Sequence, residues 1–142
     1  MQEIIGVMKG RDNRMGGALP LLAILLVAIV LKAGLLLAGV VPFNADEAVV
    51  GLMARHILLG ERPIFFYGQA YLGSLDAWLV AGAFALLGQS VLAIRLVQIV
   101  LYLGTIATTY WLGLRIYANR WIARAAALFL AVPTVLVTLY TT

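Results

Sequence analysis

The sequence has no cysteine, a single histidine, six acidic residues and four prolines among its 142 residues. Without cysteine there is neither a disulfide nor a thiolate metal site, and His56 alone gives no His-rich metal site. Charge is scarce too: 11% of residues are charged and 64% hydrophobic, against about 25% and about 45–50% in ordinary soluble domains. Water is therefore not the main solvent of this chain, and the composition reads as an integral membrane protein. Ten basic residues leave a formal charge of +4, but they are scattered or sit beside apolar segments, where they set topology. No nucleic-acid partner is expected. Three or four helices in a bilayer rarely enclose a complete transport path or active site, so the chain reads as a piece of something longer.

What is there begins with apolar runs. Ala18 to Val41 is broken only by Lys32, and its roughly 24 residues cover about 36 Å, enough for a hydrocarbon core of about 30 Å. Lys9, Arg11 and Arg14 precede it, which makes residues 1–17 a cytoplasmic tail and puts the far end of the helix outside. A cleaved signal peptide is the competing reading, but the run is too long and no small-residue cleavage site follows it. Lys32 either snorkels toward the outer headgroups, the first choice, or meets an acid in the bundle. Val91–Leu114 and Trp121–Thr142 are two further candidate spans, with Arg115, Arg120 and Arg124 around their connection. If that basic cluster is also cytoplasmic, an even number of crossings separates it from the N-terminus. Leu72–Gly88, short, carrying Asp76 and three glycines, is then read as lying at the outer interface. The expected fold is all-α: transmembrane helices over about 18–41, 91–114 and 121–142, and juxtamembrane outer-face helices over about 45–59 and 72–88. The alternative is four crossings with the arginines outside. Phe65, Phe66, Tyr67, Tyr71 and Trp78 supply the amphipathic rings expected at headgroup level in the outer segment, residues 42–90.

Asp46-Glu47, two adjacent acids just past the first apolar run, is the pattern that needs a reason. A local one exists: Asn44 as N-cap with Glu47 three residues on makes a capping box, and Asp46 in the first turn complements the helix dipole. A functional one coexists with it, since a cap carboxylate facing a cavity can serve as general base on an alcohol or amine. Arg55 either contacts headgroups or offers its guanidinium to a phosphate. Arg95, one turn into its helix, either snorkels or binds an anionic group. His56 has no partner identifiable from sequence, and Asp76 reads as a first-turn acid.

The ordered set of motifs resembles a known class. A basic start, one spanning helix, Asp46-Glu47-Ala48, Gly60-Glu61-Arg62-Pro63, an aromatic run with Gly68-Gln69-Ala70-Tyr71-Leu72-Gly73-Ser74-Leu75, and Phe84-Ala85-Leu86-Leu87-Gly88 before Arg95-Leu96 look like the polytopic glycosyltransferases of the GT-C class. The similar branch is the bacterial set related to protein O-mannosyltransferases and aminoarabinose transferases, and the likeness runs from about Val41 to the end. It implies a multi-pass protein of the bacterial inner (plasma) membrane that moves a sugar from a polyprenyl-phosphate carrier to a lipid, glycan or protein acceptor at the outer face. It further implies that Asp46 is the catalytic base and Glu47 a neighbour that orients it or contacts the acceptor. Arg55 and Arg95, from charge and place, are the candidates for lipid-phosphate contact. Some relatives use a divalent metal; this sequence offers no ligand set, so none is expected within it, and no other cofactor is. Members have many more spanning helices, so this chain is expected to be an N-terminal portion with little activity alone. A transporter or flippase fragment for lipid-linked sugars and a small non-catalytic membrane scaffold are the alternatives.

Overall fold

The computed structural model describes residues 2–39 and 42–132, with side chains from residue 18 onward in the first helix. The elements are α1 (Gln2–Leu37), α2 (Ala45–Leu58), β1 (Phe65–Phe66), β2 (Gln69–Gly73), α3 (Leu75–Leu87), α4 (Val91–Tyr117) and α5 (Arg120–Ala131). They divide into two compact units: α1, α4 from Tyr102 and α5 in one, and α2, the strands, α3 and α4 through Leu101 in the other.

In the first unit, α1 starts at Gln2 rather than at Ala18, and contains Pro20. Gln, Glu, Ile, Met and Lys in the presumed tail are adequate helix formers. The helix stops at Leu37, short of Val41, because Gly39 takes a left-handed φ of +64°, the usual stop just past a helix end. Val40 and Val41 lie outside the described residues. α4 continues to Tyr117, beyond the expected Leu114, and ends on Ala118 at φ +48°. Asn119 then caps α5, its Oδ1 accepting from Trp121 N at 2.8 Å. The expected helix over 121–142 is the largest difference. α5 ends at Ala131, with Val132 already extended at ψ 103°, as the ring of the following Pro133 requires. Residues 133–142 lie outside the description, so a third span is not established. Two helices, Ala18–Leu37 within α1 and Val91–Tyr117, are long and apolar enough to cross a membrane.

Packing here relies on small residues. Ala123, Ala127 and Ala131, one turn apart on α5, are fully buried with Ile24 and Ala28 of α1 and Tyr102, Ile106 and Tyr110 of α4. A Cβ added at Gly113 would lie 3.0 Å from the Ala123 Cα, so glycine is what lets the α4 and α5 backbones approach. Lys32 does not snorkel: it is 1% exposed, its ammonium 4.8 Å from the Tyr102 ring centroid, where ring and cation attract. The outward face is apolar instead, with Leu22, Leu26 and Val30 each 61% exposed along one stripe of α1.

The second unit packs α2 on α3. Val50, Met53 and Ala54 meet Ala77, Val80, Ala81 and Phe84, with Ala93 and Ile94 of α4 completing the core. The expected interfacial helix over 72–88 is α3, shortened at its start because Tyr71 and Leu72 belong to β2. The chain is mostly helical, as expected, with one addition: β1 and β2 pair as a small antiparallel hairpin with Phe66 opposite Gln69. Gly68, at φ +78°, makes the turn, a backbone state that glycine adopts without steric penalty. The aromatic side chains are not uniformly at the surface: Phe66 is buried in the core, and burial of such a ring contributes about 1.5–3 kcal/mol. Ser74 Oγ and Trp78 Nε1 both donate to the Pro63 carbonyl, which fixes the chain entering the hairpin to the start of α3.

Candidate functional site

The site is built on the N-terminus of α2. Asn44, in extended conformation, accepts from Glu47 N at 2.9 Å through Oδ1, and Asn44 N donates back to Glu47 Oε2 at 3.2 Å. This is the capping box expected from sequence, and it turns the Glu47 side chain back along the helix end. Arg95 of α4 meets it there. Its Nε donates to Glu47 Oε1 at 3.1 Å and its Nη2 to Oε2 at 3.4 Å, the two-pronged geometry a planar guanidinium favours. The pair is withdrawn from solvent, with side chains 7% and 14% exposed for Glu47 and Arg95. Gly51, one turn after Glu47, faces Ile94, whose Cδ1 would lie 3.0 Å from a Cβ added there, a contact that the flexible side-chain tip can relieve.

Of the four residues singled out in the sequence, the structure therefore joins two. Glu47 and Arg95 hold each other, so Glu47 directs its oxygens at protein donors, and the Arg95 charge is matched inside the unit. Asp46, one residue earlier, is exposed, with no hydrogen bond or ion pair among the described residues. Arg55, two turns along α2, is exposed and outside the pair. Glu47, Gly51 and Ala54 line the buried side of α2, as the helical spacing suggests, whereas Arg55 falls beyond its edge.

A second polar cluster was not foreseen. Tyr67 OH donates to Glu61 Oε2 at 2.7 Å and lies 3.0 Å from His56 Nδ1, tying the end of α2 to the hairpin. The Glu61 carboxylate, by accepting that hydrogen bond, holds the Tyr67 phenol above its ordinary pKa; partial burial and the negative charge of Glu61 act in the same direction. Only the Tyr67-Gly68 turn signal, with aromatics on either side, pointed to a hairpin that would return Tyr67 toward α2. Asp76 is the first-turn acid expected, with Oδ1 accepting from Ala77 N at 2.8 Å.

Among the described residues no group of three or more His, Asp or Glu side chains is placed to hold a metal ion. Comparison of the chain with protein-family models, curated proteins and solved structures returns no match. The chemistry must be argued from these residues themselves.

Proposed function

We propose that this chain is the N-terminal membrane portion of an inverting, lipid-phosphate-sugar-dependent glycosyltransferase, multi-pass in a bacterial inner membrane with its N-terminus cytoplasmic. The observation that carries the reading is the division of labour between two neighbouring acids: Glu47 is buried and anchored by Arg95, and Asp46 is left exposed at the helix start. Glu47 and Arg95 then position the loop, and Asp46 does the chemistry. Asp46 takes the proton of an acceptor hydroxyl or amine as that atom attacks the anomeric carbon, and the bond from carbon to phosphate oxygen breaks with inversion. The departing polyprenyl phosphate is stabilised by cationic groups, for which Arg55, exposed and with no ion pair among the described residues, is a better candidate in this chain than Arg95. Membrane placement rests on two long apolar helices whose most apolar windows are only 17% and 22% buried in the protein. The core helix of a soluble domain would be mostly buried.

In the full reading frame, Asp46→Asn should lower sugar transfer from a labelled polyprenyl-phosphate donor by at least about 100-fold, the low end for a general base, with membrane insertion unchanged. Transfer at the wild-type rate would reduce Asp46 to a first-turn acid. For the topology, single cysteines at Asp46, Gly88 and Asn119 are clean probes because the chain has none of its own. An impermeant thiol reagent should label the first two and spare the third; labelling at Asn119 removes the orientation on which the site depends. The complete capping box favours one second reading, a capped membrane scaffold without chemistry, for which Asp46→Asn changes no activity.

A further inference from the structure

An apolar groove lies along α1 and α5, with a volume of 280 Å³, lined by Pro20, Ala23, Ile24, Val27, Leu128 and Arg124. Its α1 wall covers about 10 Å of helix. Every lining side chain but one is hydrocarbon. The exception, Arg124, holds its Nε–H shielded from solvent with no hydrogen-bond partner among the described residues. Leaving a buried charged donor unmatched is costly, so a groove of this kind calls for an acceptor. Two neighbours say where that acceptor would sit. Trp121 is 77% exposed yet stacks on Arg124, with the guanidinium carbon 5.2 Å from the indole ring, the pairing of aromatic and basic residues that marks headgroup depth. Arg120 lies one turn earlier in α5, and the apolar span of α1 begins at Ala18, beside Pro20. An anionic head and a hydrocarbon tail are thus accommodated at adjoining places.

We infer that this groove is a binding site for an anionic phospholipid, its phosphate held by the part of the Arg124 guanidinium that the half-buried side chain leaves accessible and one acyl chain lying against Pro20, Ala23, Ile24, Val27 and Leu128. A zwitterionic lipid fits the floor equally, but its choline competes with Arg124 for the phosphate. The site discriminates by charge at the rim and not by the chain. The inference rests on the membrane reading above and is independent of sugar transfer.

The test uses the 142-residue chain with Trp78→Phe and Trp111→Phe, so that Trp121 is the only indole. The protein is reconstituted in phosphatidylcholine vesicles containing dibrominated phosphatidylglycerol or dibrominated phosphatidylcholine, and flotation with the vesicles is checked first. The brominated anionic lipid should quench Trp121 with about fivefold higher apparent affinity, the fold-change of one basic residue at an anionic surface. Arg124→Gln should lower the ratio several-fold toward the remainder that Arg120 supplies, and Arg124→Lys, which keeps the charge, should retain the preference. Equal quenching in the parent protein, whether strong or weak, overturns the site, the weak case meaning that protein covers the groove. An undiminished preference in Arg124→Gln overturns it as well. If Arg124→Gln does not float, loss of preference in Arg124→Lys has the same force. Failure of the parent chain to float removes the membrane reading itself, and the site with it.

Discussion

The two units bury polar groups by opposite means. In the first, Lys32 is enclosed with its ammonium over the Tyr102 ring, in a unit whose helices are brought close by alanine and glycine. In the second, Glu47 and Arg95 are enclosed because each supplies what the other needs. The first unit is set by how closely its backbones approach, the second by an ion pair across its core, and substitutions should separate the two.

Removing one member of the ion pair should have the largest effect. Glu47→Gln or Arg95→Leu is expected to cost about 3–5 kcal/mol, the usual result of stranding a buried charge, measured by denaturant unfolding in mixed micelles. The double substitution should cost less than the sum of the two, since no charge is then stranded. Additive losses would mean that the pair contributes nothing as a pair.

The glycines give the next test. At Gly113 a new methyl group meets the Ala123 backbone, so Gly113→Ala should cost about 1–3 kcal/mol by overpacking. At Gly51 it meets the tip of the Ile94 side chain, which can turn away, and the gain in helix propensity offsets the crowding, so Gly51→Ala should fall within about 0.5 kcal/mol of zero. Similar costs at both positions would erase the distinction between the units.

These residues also show what was legible beforehand. Asn44 and Glu47 lie three apart, and a capping box is a local pattern, so it was read correctly. Arg95 is 48 residues from Glu47, and no local pattern links them, so their pairing is not legible in the sequence. Tyr67 and Phe66 were read as headgroup aromatics, because ring chemistry alone does not separate a membrane surface from a hairpin core. Pro133 bears on where α5 ends, since a proline restrains the residue before it whatever the apolar content, and the helix stops at Ala131.

The smallest effect concerns the Glu61 and Tyr67 contact of the second unit. The Tyr67 phenol titrates above its ordinary value near 10. A raised pKa means that the protonated form is the one stabilised by folding. The contribution is therefore complete below the unfolded value and is lost as pH rises through the folded one. Absorbance at 295 nm, taken as the difference between the native protein and Tyr67→Phe, should show this late phenolate transition, and Glu61→Gln should move it down. An unmoved transition would mean that Glu61 is not its cause.

That contact also settles a matter two atoms away. A phenol has one hydrogen to give, and the 2.7 Å approach to Glu61 commits it there. The Tyr67 oxygen can then only accept along its 3.0 Å approach to His56 Nδ1, so the neutral imidazole carries its hydrogen on Nδ1 and a bare lone pair on Nε2. The lone histidine of this sequence is thus held in one ring orientation by a hydroxyl whose own hydrogen is committed to Glu61.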